Sequence, residues 1–237
     1  MKEQPSKTRS KHRRSEAFFG RRKAQALSPK QQELFVSLMP KLRLDIDTRP
    51  PDHLSTLFPH TPARIILEIG FGGGEHLVHQ ALSNPQDAYL GVEPFVNSMA
   101  KALRAIGKEN IENIRMYDED AVELLDWLPD NSLDRIDLLY PDPWPKRRHW
   151  KRRFVNSVNL TRFARVLKPG GKFHFSSDIE SYINWTLQHC DRHPAFEWQA
   201  HSARDWHAPY DNWIRTRYEA KAVREGRSPC YLRFIKV

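Results

Sequence analysis

From residue 64 onward, short apolar runs alternate with stretches whose apolar positions recur every three or four residues. The runs Arg64–Ile69, Ala88–Val92, Asn113–Tyr117, Ile136–Tyr140 and Lys172–Ser176 predict strands. The helix-spaced stretches between and after them are Glu75–Leu82, Val96–Ile106, Ala121–Trp127, Phe154–Leu167 and Glu180–Cys190. Tyr231–Lys236 predicts a final strand. Upstream, Ser28-Pro29-Lys30-Gln31 combines an N-cap, a proline at the first helical position and a capping-box glutamine, which opens a helix to about Met39. A connection holding Pro50, Pro51 and Pro59 follows it. Strand–helix alternation of this kind builds βαβ units, hence an α/β fold with a mostly parallel twisted sheet and helices on both faces. In such sheets ligands sit beyond the carboxyl ends of the strands, so the chemistry is sought there.

A length of 237 residues suits one large domain that needs no covalent staples. The chain carries 38 Lys+Arg against 29 Asp+Glu, a formal charge of +9, which favours an anionic partner. That charge is unevenly placed. Residues 1–24 hold nine basic side chains and two acids, with almost no apolar content before Phe18. Such a segment cannot offset its ordering entropy, so residues 1–24 are expected to be a disordered basic arm and residues 25–237 a single domain. The two cysteines, Cys190 and Cys230, exclude a disulfide framework and a cysteine-rich zinc site. The histidines lack metal-ligand spacing, so no metal is expected. With no apolar run of about 18 residues and no secretory signal, a soluble cytoplasmic protein without membrane contact is expected.

The first predicted strand ends in Glu68-Ile69-Gly70-Phe71-Gly72-Gly73-Gly74-Glu75. A glycine turn between strand and helix lets the backbone approach a nucleotide-like cofactor. The dinucleotide fingerprint would need a glycine where Glu75 stands, and the carboxylates of Glu68 and Glu75 would flank an anionic pyrophosphate. They suit a cationic cofactor instead, and S-adenosylmethionine carries both an ammonium and a sulfonium. The second strand runs into Glu93, placed to accept both ribose hydroxyls, and the third into Asp118-Glu119-Asp120, where Asp120 could meet the adenine amino group. Gly70, Gly72 and Gly74 with Glu68, Glu93 and Asp120 point to a Rossmann-like class I methyltransferase, whose sheet includes a C-terminal antiparallel strand.

The fourth strand runs into Pro141-Asp142-Pro143-Trp144-Pro145. Two prolines stiffen this loop and fix the direction of Asp142, as a substrate-orienting carboxylate beside the methyl donor requires. Trp144 offers a face for a purine. The block Lys146–Arg153 follows at once, with six Lys/Arg in eight residues plus His149 and Trp150. Phosphate-binding charge directly after a base-orienting loop is the layout of an enzyme acting on a nucleobase within a polynucleotide.

Pro141-Asp142-Pro143-Trp144-Pro145-Lys146, followed by Arg148-His149-Trp150-Lys151-Arg152-Arg153, resembles the signature of the tRNA (guanine-N7)-methyltransferase family. Thr216-Arg217-Tyr218-Glu219-Ala220-Lys221 resembles that family's C-terminal signature, and the similarity runs from about Gly20 onward. The resemblance implies methyl transfer from S-adenosylmethionine to N7 of a guanine in the variable loop of tRNA, with no obligatory protein partner evident. It implies cofactor contacts from Glu68, Glu93, Asp120 and Asp142, with Asp142 catalytic. It implies substrate contacts from Lys146, Asp178, Thr216, Arg217, Tyr218 and Glu219. Charge adds Arg148, His149, Lys151, Arg152 and Arg153 to the RNA-contacting set. Two other readings are an amino-group methyltransferase, whose loop would carry an Asn/Asp-Pro-Pro-Tyr pattern absent here, and a non-catalytic RNA-binding module on the same fold.

Overall fold

The computed structural model describes residues 18–237. Among them seven strands form one sheet: β1 Ile65–Ile69, β2 Ala88–Val92, β3 Ile114–Tyr117, β4 Leu133–Leu139, β5 Leu167–Ser177, β6 Phe196–Trp198 and β7 Cys230–Lys236. Their spatial order is β3-β2-β1-β4-β5-β7-β6. The first five are parallel, and β7 runs antiparallel to both of its neighbours. This is the expected Rossmann-like class I architecture, with β7 as its late antiparallel strand.

The helices are α1 Pro29–Ser37, α2 Met39–Leu42, α3 Glu75–Ser83, α4 Val96–Glu109, α5 Ala121–Trp127, α6 Ser157–Val166, α7 Glu180–Asp191, α8 Arg204–His207 and α9 Arg217–Arg224. Successive side chains of a strand point to opposite faces, and the core divides accordingly. Leu67, Leu90, Ile136 and Phe173 pack against Leu124, Leu125 and Phe163 of α5 and α6. Ile66 and Tyr89 turn the other way, onto Leu77, Met99, Leu103 and Ile106 of α3 and α4. The capping box at Ser28 and Gln31 forms as predicted, and α1 adds Leu34 and Phe35 to that second layer.

On the α3 side, one row across the sheet is charged: Glu68, Asp137, His174 and Arg233 are in register on β1, β4, β5 and β7. Asp137 is buried, 2.9 Å from Arg135 and 3.3 Å from His174. Burial works against its charge, but these two neighbours outweigh it and hold its carboxyl well below the usual range.

Three differences from the sequence reading have physical causes. Lys168–Gly171, between the expected helix and the expected strand Lys172–Ser176, forms a bulge within a longer β5, where pairing jumps from Leu133–Leu167 to Arg135–Lys172 and Gly170 takes φ +75°. The short elements β6 and α8 carry too few residues to display a period, and α9 buries only Glu219 and Ala222, so it shows no apolar stripe. Finally, the boundary expected at residue 24 falls inside a segment bound to the domain. The Phe18 amide donates to Asp120 at 3.4 Å, the Val96 amide to the Arg22 carbonyl at 2.9 Å, and the Ala24 amide to Asn97 at 2.9 Å, while Arg22 pairs with Glu119. The remaining arm residues, before Phe18, lie outside the described residues.

Candidate active site

A cavity of about 370 Å³ opens at the carboxyl ends of β1, β2 and β4. Gly70, Glu93, Asp120, Asp142, Trp144 and Tyr218 are among its walls. Two glycines of the turn after β1 show why this segment needs them. Gly74 caps α3 with φ +81°, and a Cβ there would lie 2.8 Å from the Ala102 Cβ, so glycine lets α3 close on α4. Gly72 has φ +58°, and a Cβ there would meet both the Arg217 guanidinium and the Tyr218 ring at 3.3 Å. The C-terminal motif thus rests directly on the glycine turn.

The buried Glu93 ties this turn to the next strand end. Its carboxylate accepts from the Gly72 amide and the Phe95 amide, both at 2.9 Å. Burial raises the Glu93 pKa, against the lowering effect of those two amides and of Arg217. Asp120 is buried too; it caps α5 by accepting from the Val122 amide at 3.0 Å while lining the cavity. Its capping and ligand-facing roles are compatible, because a carboxylate offers about four acceptor sites.

Asp142 is different. The residue is exposed at the rim, yet the atoms packed around its carboxyl desolvate it and push its pKa above the usual aspartate range. No donor among the described residues occupies it. The loop that presents it is strained: Tyr140 and Trp144 take φ +51° and +45°, each a conformation costing about 1–3 kcal/mol for a non-glycine residue. Trp144 is half-buried, with the Arg152 guanidinium 4.9 Å over its ring and Phe19 and His149 at its edges.

Lys146, Arg148 and Lys151 are exposed on or beside a 3-10 turn spanning Arg147–Arg152. Desolvation and the surrounding cations hold the His149 pKa below the usual imidazole value. Arg153 departs from expectation. Grouped by charge with the RNA-contacting residues, it is 1% exposed. It donates to the Pro143 carbonyl at 2.9 Å, the Ser181 carbonyl at 2.8 Å and the Ser181 hydroxyl at 2.9 Å, beneath the rings of Trp150, Tyr182 and Trp185. It is a clamp between the Asp142 loop and α7, out of reach of phosphate.

Several expected contacts are already engaged within the protein. Glu68 does not line the cavity; it bonds the buried His76 at 2.8 Å. Burial works against a protonated His76, but the Glu68 carboxylate outweighs it and raises the imidazole pKa. Glu75 is exposed on α3, so the acid character of the cavity comes from Glu93, Asp120 and Asp142 instead. Asp178 pairs with Arg227. Thr216 caps α9, and the buried Glu219 accepts from Trp213 at 2.6 Å and from the Tyr231 hydroxyl at 2.8 Å. Tyr218, expected at the substrate, also walls the cofactor-sized cavity. Phe18, Phe19 and Arg21 line it as well and went unrecognised, because their only signal was the first apolar pair after the basic arm. Among the described residues no cluster of His, Cys, Asp and Glu could hold a metal, and no helix is long and apolar enough to cross a membrane.

Residues 62–231 match the family model of a putative methyltransferase. A tRNA (guanine-N(7)-)-methyltransferase of Agrobacterium fabrum is 61% identical over 94% of this chain and 97% of its own. The protein of that name from Brucella melitensis is 59% identical over 92% and 94%. Among solved structures, TrmN from Thermus thermophilus shares the fold with a TM-score of 0.52 at 16% identity, over 74% of this chain and 45% of its own. Sequence similarity of this extent, carried through both signature motifs and the cavity they border, places the chain in the tRNA (guanine-N7)-methyltransferase family.

Proposed function

We propose that the protein methylates N7 of a guanine in tRNA, at the variable loop, using S-adenosylmethionine. One observation carries the reading: an acid-walled cavity and an exposed basic turn meet at Asp142, a carboxylate without a partner among the described residues. Three carboxylates in the wall suit a ligand bearing ammonium and sulfonium charge. When bound, that donor supplies an electrophilic methyl group.

The remaining work belongs to this chain's residues. Each Glu93 oxygen accepts one backbone amide and keeps a lone pair for a ribose hydroxyl. Asp120, in the cavity wall, meets the adenine side of the donor. Lys146, Arg148 and Lys151 hold the RNA backbone and set the position of the target base. Guanine N7 has a free lone pair, so no base need remove a proton from it. What develops is positive charge on the ring. Asp142 accepts a hydrogen bond from the guanine N–H edge and stabilises that charge, an effect strongest in the transition state. Arg153 acts one step back, holding the Pro143 carbonyl and thus the direction of Asp142.

The amino-group alternative requires removal of a proton from nitrogen and gains no support from this loop. Incubation with bulk tRNA and methyl-labelled donor, followed by nucleoside analysis, is expected to yield 7-methylguanosine. Label in any other nucleoside overturns the assignment.

A further inference from the structure

α9 carries a basic face that begins at Arg217 and continues past the site described above. Arg217, Lys221 and Arg224 recur at the spacing that places them on one side of a helix, and all three are exposed. Glu219 and Ala222, the buried residues of α9, occupy the opposite side. At 1.5 Å per residue the stripe is about 10 Å long. Its start is fixed at the cavity: Tyr218 is a wall residue and Arg217 rests on Gly72. The stripe therefore leads away from the mouth across the protein surface.

Its charge is little compensated. Arg217 bonds the Tyr218 hydroxyl at 3.0 Å, with the buried Glu93 as its acidic neighbour. Lys221 faces Glu225 at 3.9 Å, a solvent-exposed contact, and Glu225 is held more closely by Arg227. Arg224 makes no ion pair within 4 Å among the described residues and shares the nearby charge of Glu225 with Arg227 and Lys221. An ordinary solvated helix face mixes signs; this one shows three cations and no acid before Glu225. The 3-10 turn Arg147–Arg152 borders the same cavity through Arg152, so two basic elements reach one mouth.

We propose that this face of α9 is a second track for the tRNA phosphate backbone, joining the Arg147–Arg152 turn in holding the RNA around the target guanine. The inference rests on the tRNA reading above and adds to it a contact surface on another element. Lys221 and Arg224 lie outside the cavity and serve here as phosphate anchors with no role in the chemical step.

The test is the double variant Lys221→Ala/Arg224→Ala in the full chain, with tRNA affinity measured by fluorescence anisotropy over a range of salt. Two lost phosphate contacts flatten the plot of log affinity against log salt by about 1.4–1.8. At 0.15 M salt that corresponds to roughly 10–30-fold weaker binding. S-adenosylmethionine affinity, thermal midpoint and single-turnover rate at saturating tRNA are expected to stay at wild-type values. The swap Lys221→Arg/Arg224→Lys, which keeps charge, should retain the slope. A wild-type slope in the alanine variant, while wild-type protein binds tRNA, overturns the α9 track and leaves the function standing. A wild-type protein that binds no tRNA overturns both.

Discussion

Replacing Glu93 tests the join between fold and cofactor, because the carboxylate that holds the glycine turn is the one proposed to meet the ribose. In Glu93→Ala the Gly72 and Phe95 amides lose their 2.9 Å acceptor. An unsatisfied buried amide costs about 1–3 kcal/mol, and the Phe95 amide, at a half-buried residue, belongs at the low end. Against this, alanine relieves the desolvation that raises the Glu93 pKa. The expected net destabilisation is about 1–3 kcal/mol, read as a lower urea midpoint without cofactor. Glu93→Gln keeps one carbonyl acceptor and should fall between wild type and alanine. The pH dependence has a definite sign. A carboxyl with a raised folded pKa contributes most stability when protonated, below its unfolded value, and loses it as pH rises through the folded pKa. The stability advantage of wild type over Glu93→Gln should therefore shrink across that window. Calorimetry should show S-adenosylmethionine binding weakened by roughly 10–150-fold in the alanine variant, the worth of a lost charged hydrogen bond. An alanine variant with the wild-type urea midpoint and wild-type cofactor affinity refutes the dual role.

Asp142→Asn keeps shape and removes charge; single-turnover methylation at saturating substrates should fall about 100–1,000-fold, with cofactor affinity nearly unchanged, and near wild-type turnover refutes charge stabilisation. Because desolvation raises the Asp142 pKa, the acid limb of wild-type kcat/KM should lie above the ordinary aspartate range and be missing from the Asn variant; the same limb in both assigns it to another group. Arg153→Met removes all three donor bonds and the charge, so it should lower unfolding stability by about 3 kcal/mol and slow the chemical step, while the salt dependence of tRNA binding stays unchanged. A shallower salt slope instead would return Arg153 to the RNA surface.

The strands and longer helices were legible because each spans enough residues to show its period, and the glycine turn and Asp142 loop because special backbone demands leave glycine and proline in the sequence. Glu93 and Asp120 could be located at strand ends without their partners being visible. What stayed hidden was burial of charge. Six basic residues in eight read as one surface, and nothing local separates Lys151 from Arg153; the distinction arises from Ser181 and Trp185, which only folding brings near. The partner of Glu68 was hidden for the same reason, since His76 meets it only when α3 folds back against β1. The segment from Phe18 to Ala24 reads as arm because composition dominates where no period exists, and its contacts lie far along the chain at Asn97, Glu119 and Asp120.

The position of β7 sets an order of assembly during synthesis. Residues 230–236 follow every other element in the chain, yet β7 lies inside the sheet, between β5 and β6. β6 has β7 as its strand partner, so it waits for a strand not yet made. Tyr231, on β7, also supplies one of the two donors that hold Glu219. The strands β1 to β4, with Glu93, Asp120 and Asp142 at their ends, can pair while the rest is still being translated. The half of the sheet that ends in Glu93, Asp120 and Asp142 is therefore complete in the chain before β7 is made, and α9 gains the Tyr231 bond to Glu219 only once β7 is in place.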